Sequence, residues 1–335
     1  MALFPALLER SWALRHDDPA QMVELARYAV LVACQLDVQR YGFAQAADLQ
    51  CRAWAELGNA CRVSENHGRA QECFDHAIER YLRGTDDELL LARVLDFQAS
   101  LYRAERDFPN ARTALSLVYD IYRRHGQHHL AGRALISVGI SIGYSGEPEK
   151  ACQLIRRGLA SVDEREEANL VFTAIHNQIW FALDCERLDE AERELFLNRG
   201  RYYEAGGRLN QLKLRWLEAR IDAGRGRIER AEQIFREVAA GFEEANLGYK
   251  AALASLYLAE MLLRQEKVEE SRQVALRAAE VFQSLKIHRE ALAAVLFLRR
   301  CFRQRQATAA VVKSVITFLR RAEHDPTARF EPPAL

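Results

Sequence analysis

Three histidines, His125, His128 and His129, cluster within one short stretch. A structural or catalytic metal site needs three or four ligands held on a fixed frame. No Cys or carboxylate set accompanies these histidines at a useful spacing, so they read as loop residues between helix pairs. No metal and no cofactor is expected. Seven cysteines (34, 51, 61, 73, 152, 185 and 301) include no Cys-x-x-Cys pair. Such a scattered, odd set in apolar surroundings reads as reduced thiols in a cytoplasmic protein, and Cys61 with Cys73 reads as a reduced core pair. Gly224-Arg-Gly-Arg227 has glycines but neither the Gly-Lys-Ser/Thr ending nor the preceding strand of a phosphate loop. It reads as a helix–helix turn, and Asp163-Glu-Arg-Glu-Glu167 reads as a solvated one. Gly-x-Ser-x-Gly, His-Glu-x-x-His and a carboxylate pair in an acid–base setting are all missing. The expectation is a protein that is not an enzyme.

The frame around these residues is helical. Only 7 prolines and 17 glycines occur in 335 residues, too few for a protein built of tight strand turns. Ala, Leu, Glu, Arg and Gln dominate, all strong helix formers. Lys plus Arg equals Asp plus Glu at 47 each, which argues against a general nucleic-acid binder. The first ten residues lack the basic start and apolar run of a secretory signal. No stretch approaches the 18 or so uncharged apolar residues of a membrane span.

Self-similarity gives the organisation. Trp54-x2-Leu57-Gly58-x2-Cys61 is followed by Ala70-x3-Phe74-x2-Ala77. These are the positions of the tetratricopeptide pattern, with Cys61 in place of its Tyr. The small residue that opens the second helix recurs as Ala70, Ala111, Ala151, Ala191, Ala231 and Ser271, at spacings of 41, 40, 40, 40 and 40. A bulky residue follows four places later at Phe74, Leu115, Ile155, Leu195 and Phe235. Two antiparallel helices approach closely only where a small side chain faces the partner backbone, with larger ones filling the flanking grooves. Each pair leaves an apolar side that its neighbour buries. Trp54, Leu57, Gly58, Ala70, Phe74, Ala77, Ala111, Ala151, Ala191, Ala231 and Ser271 are therefore the expected repeat core.

This predicts N-terminal capping helices in 1–42, a TPR-like array of about seven helix pairs in 43–323, and a non-helical tail in 324–335. No linker divides the body, so the array is expected to be continuous. The last pair is placed at 287–323. Asp18-Pro19 predicts a helix start, a cap acceptor followed by Pro at the first helical position.

The chain resembles bacterial tetratricopeptide repeat proteins with lengthened repeats, most specifically over 51–84 and by period over about 20–323. Armadillo and HEAT arrays share periods near forty. The resemblance implies an all-α, right-handed superhelical solenoid of antiparallel helix pairs, with a concave groove lined by the first helix of each pair. Members of this kind often hold peptides there. Transferred to this sequence, the groove positions include Arg52, Asn59 and Arg62; Arg93, Asp96, Ser100 and Arg103; Arg133, Ile136 and Ile140. Further along they include His176 and Trp180; Lys213, Trp216 and Arg220; Leu256 and Glu260. Asn59 stands where clamp-type members hold a terminal carboxylate, but Ala55 and Phe97 replace the companion Lys and Asn. Arginine forks suit carboxylates, and tryptophan offers area at low entropic cost. The expected function is a non-catalytic adaptor or regulatory subunit whose groove binds a protein or peptide of acidic and aromatic character. The alternative is a peptide or small-molecule sensor with a closed pocket near His176, Trp180 and Trp216.

Overall fold

The computed structural model describes residues 3–15, 17–285, 287–325 and 327–333. Met1, Ala2, Pro326, Ala334 and Leu335, parts of the predicted cap and tail, lie outside the described residues, as do His16 and Lys286. Among the described residues the fold is all-α, with no strand.

The N-terminal helices are α1 (Leu3–Ala13), α2 (Pro19–Cys34) and the short α3 (Val38–Tyr41). Asp18 caps α2 by accepting from Gln21 N–H at 2.9 Å, with Pro19 in the first turn. Antiparallel pairs follow: α4 (Phe43–Val63) with α5 (His67–Tyr81), α6 (Glu88–Ala104) with α7 (Phe108–Arg124), and α8 (His128–Tyr144) with α9 (Pro148–Leu159). Next come α10 (Ala168–Asp184) with α11 (Leu188–Glu204), α12 (Gly207–Gly224) with α13 (Ile228–Glu244), and α14 (Gly248–Arg264) with α15 (Val268–Ser284). The chain closes with α16 (Arg289–Arg303) and α17 (Ala309–His324).

The helices form two compact units. Unit 1 holds residues 1–138 and 157–163, and unit 2 holds 139–156 and 164–335. The division falls within α8 and α9, where no shift in composition marks it.

Packing within each unit follows the small residues. Ala70, Ala111, Ala151, Ala191, Ala231 and Ser271 are all buried. Ser271 satisfies its hydroxyl by donating to the Ala259 carbonyl at 2.8 Å across the α14–α15 contact, so a polar atom is tolerated at the seam. A second small series lies on the first helices, at Gly58, Ala99, Gly139, Ala219 and Ala259, with Ile179 as its exception. A Cβ on Gly58 would stand 2.8 Å from the Phe74 ring, and one on Gly139 would stand 2.9 Å from Ile155. Small residues thus face bulky ones across each of these pairs. Trp54 is only half-buried and packs its indole on His76 at 4.6 Å.

The last pair departs from the repeat. α17 packs on α14 as well as on α16, and its polar groups reach the ends of α8 and α10, as described below. Val311, Val312, Val315, Ile316 and Leu319 are buried beneath it. Residues 327–333 are non-helical, and Phe330 among them packs on α16 and α17. Phe330 sits 5.6 Å from Phe297 and 5.0 Å from Phe318, and its N–H donates to Glu290 at 3.0 Å.

Candidate partner-binding faces

In unit 1 the arginines singled out by the sequence lie on α4, α6 and α8, but they are not equivalent. Arg93 donates to Glu56, whose side chain is buried, so its charge is spent on holding that carboxylate. Arg62 donates through Nε and Nη2 to Asn59 Oδ1 at 3.1 and 2.8 Å. Asn59 is itself buried, so it braces an arginine and offers no clamp for a terminal carboxylate. Arg133 is already engaged. Among the described residues, Arg52, Arg62 and Arg103 have no carboxylate within 4 Å. Burial and then Arg93 lower the pKa of Arg52, and burial and then Arg103 lower that of Arg62. Like charges crowd here, and an anion would relieve them. Aromatic surface adjoins Arg93. Phe97 lies under the Arg93 guanidinium at 5.7 Å, and Trp12 of α1 stacks on Phe97 at 6.3 Å while remaining partly exposed. Ile136, a groove position by register, is fully buried.

In unit 2 the inner faces of α10, α12 and α14 carry α17. Arg320 forks onto Asp184 at the end of α10, with Nη1 and Nη2 donating at 2.7 and 2.6 Å. Arg220 of α12 donates to the same carboxylate at 2.7 Å and to the Trp180 carbonyl at 3.3 Å. The two guanidiniums lie 4.5 and 4.7 Å from the Trp180 ring. Burial raises the Asp184 pKa, but Arg220 and Arg320 outweigh it and hold the group below the ordinary 3.8. Tyr249 donates to the Leu319 carbonyl at 2.7 Å, Lys313 reaches Glu186 at 3.3 Å, and His324 stacks on Tyr144 of α8 at 3.8 Å. Trp180 and Arg220, expected on an open groove, are covered by the chain's own last helix.

Trp216 and His176 sit deeper than the sequence suggests. Trp216 is buried, edge-on to Trp180 at 5.2 Å and 5.3 Å from Phe242 of α13. It is core, because its helix face turns toward α13. His176 faces the Tyr202 hydroxyl of α11 at 3.1 Å. Burial, then Lys213, Lys250 and Arg220, lower its pKa to about 3, so it is neutral at physiological pH. An unfolded histidine takes up a proton near 6.5 and this one does not. Stability from this group is therefore full above about pH 6.5 and is lost progressively as pH falls toward 3. We expect thermal unfolding between pH 7 and 4 to show this decline, and His176→Gln to flatten it by a few degrees in Tm.

Between α17 and α10, α12 and α14 lies a cavity of about 710 Å³, within the size range of small-ligand sites. Asp184, Arg220, Tyr257, Glu260, Arg264 and Arg320 line it. It lies about one helical turn beyond the pocket expected at His176, Trp180 and Trp216, because those residues are packed inward. Glu260 is buried, which raises its pKa against the pull of Arg264, its partner at 2.6 Å.

Of the remaining chemistry candidates, Cys61 and Cys73 come together through a side-chain hydrogen bond between their thiols. No group of three or more His, Cys, Asp or Glu among the described residues could hold a metal ion, and all seven cysteines are free thiols. His125 is paired with Glu88. No described helix is long and apolar enough to cross a membrane.

No family model and no curated protein sequence matches this chain. Solved structures do. A Rap protein in complex with competence and sporulation factor is similar at TM-score 0.64 and 10% identity, over 96% of this chain and 87% of that one. The apo form of the quorum sensor NprR from B. thuringiensis gives 0.62 and 11%, over 91% and 82%. The apo form of RapI gives 0.60 and 10%, over 84% and 98%. The shared property is the fold. This chain is an all-α, TPR-like array of antiparallel helix pairs.

Proposed function

We propose that the chain is a non-catalytic, cytoplasmic adaptor or regulatory subunit of bacterial TPR type. It takes an acidic, aromatic-bearing segment of a partner protein on the arginine face of unit 1. The observation that carries this reading is the set Arg52, Arg62 and Arg103 on α4 and α6, which face Glu9, Glu56 and Asp96 but form no ion pair with them within 4 Å. Surface arginines with acidic neighbours contribute little. Arginines with no carboxylate in ion-pair reach can fork onto an incoming one. Two of the similar structures are described as a quorum sensor and as a complex with competence and sporulation factor, which agrees with a peptide-holding role.

The test is retention of labelled acidic–aromatic peptides by the immobilised full chain, against basic peptides of equal length. Arg52→Glu with Arg103→Glu is expected to weaken retention at least about tenfold, the scale of one or two charged interface pairs, with helicity unchanged. Retention unaffected by both reversals removes the proposal. Arg93→Glu is a poorer probe, because it would strand the buried Glu56.

A second reading, a ligand sensor, is favoured by one feature. In unit 2 the terminal helix closes over a cavity instead of packing flush, so an occupant there would touch α17 and the inner helices together.

A further inference from the structure

The cations around the unit 2 cavity are unevenly matched. Arg264 has Glu260 at 2.6 Å, Lys313 has Glu186 at 3.3 Å, and Arg321 has Asp325 at 3.4 Å. Arg220 and Arg320 share Asp184 as their ion-pair partner, and Glu260 faces Arg220 at longer range. In these ion pairs five cations meet four carboxylates. Two of the cations are sheltered: the side chains of Arg220 and Arg320 are 10% and 12% exposed. Asp184 holds both guanidiniums charged, and guanidinium N–H groups left over from that fork can take a second planar acceptor. The cavity gives that acceptor room, since both arginines line it. Phe235, Tyr257, Met261 and Leu188 supply apolar wall beside them.

We infer that this cavity is a binding site for a small monocarboxylate with an apolar body, its carboxylate on Arg220 and Arg320 and its body against Tyr257 and Phe235. A single surplus charge calls for a monoanion, and guanidinium geometry suits a planar carboxylate. Because Arg320 belongs to α17, the occupant ties that helix to α10 and α12. The inference rests on the sensing reading and gives its ligand a chemistry.

The experiment is thermal unfolding of the full chain at constant ionic strength with 3-phenylpropionate, its neutral amide, or inorganic phosphate. The carboxylate is expected to raise Tm by about 2 °C or more at millimolar concentration, and the amide is not. Glu260→Gln leaves Arg264 unmatched, adds a second surplus charge and is expected to tighten carboxylate binding several-fold. Arg220→Gln removes the surplus and abolishes the shift. Equal effects of acid and amide, a shift with phosphate alone, or an unchanged affinity in Glu260→Gln would each overturn the carboxylate site. The Glu260→Gln result holds even if Arg220→Gln does not fold. Amide hydrogen exchange over 309–324 separates the two ideas. Binding with unchanged exchange in α17 leaves the site standing and removes the sensing role.

Discussion

Phe74→Ala is expected to lower the free energy of unfolding by about 3–5 kcal/mol. The ring is fully buried, at the contact between α4 and α5 where Gly58 makes room for it. Truncation removes the apolar transfer term and leaves a void between helices fixed by Ala70 and Ala77, which cannot slide inward because their own Cβ atoms are already buried. The reverse error is also informative. A Cβ on Gly58 would lie 2.8 Å from the ring, so Gly58→Ala overpacks the seam and costs about 1–3 kcal/mol. Phe74→Leu added to Gly58→Ala should restore part of that loss, since the two side chains compete for one space and their effects do not add. Urea unfolding followed by helicity measures all three. If Phe74→Ala leaves the midpoint where it was, the glycine–ring seam is not what joins this pair.

The seam was readable because its signals are local. Ala70 and Phe74 stand one turn apart on one helix, and the same interval returns at Ala111 and Leu115 and at Ala231 and Phe235. The arginines misled for the opposite reason: their partners lie about one repeat away. Glu56 and Arg93 are 37 apart, Asp184 and Arg220 are 36, and Glu88 and Arg124 are 36. Glu56 and Asp184 thus consume arginines of the next pair, Glu88 one at the far end of its own, and a search for opposite charges at that separation would have shown which cations are spent. The fold-back of α17 carries no comparable sign. Its buried row at Val312, Val315, Ile316 and Leu319 has the helical spacing of any repeat helix. The decisive contact, Arg320 with Asp184, spans 136 residues. Trp216 misled because an aromatic on an amphipathic helix serves a core or a groove equally well, and only the face that α13 covers decides between them.

Asp184→Ala should cost unit 2 about 3–5 kcal/mol, the loss seen when one member of a buried ionic cluster is removed. The carboxylate accepts from two guanidiniums that both lie over the Trp180 ring. Without it, two nearly buried positive charges face each other and the fork that holds α17 is gone. Arg320→Met should cost less, because Asp184 keeps Arg220 as its counter-ion and the methionine stem still covers Trp180. This ordering distinguishes a shared counter-ion from a simple pair, for which the two substitutions would be about equal. The pH dependence has a definite sign. The folded pKa of Asp184 lies below its ordinary 3.8 because Arg220 and Arg320 outweigh the cost of burial. Its stabilisation is therefore complete above about pH 4 and is lost as pH falls through the lower folded value. Acid unfolding of Asp184→Ala should lack that portion of the slope, and amide exchange over 309–324 should accelerate in this variant at neutral pH while α4 and α5 of unit 1 keep their protection. Slow exchange in α17 of Asp184→Ala would mean that the apolar row alone seats the helix and that the ionic cluster is incidental to it.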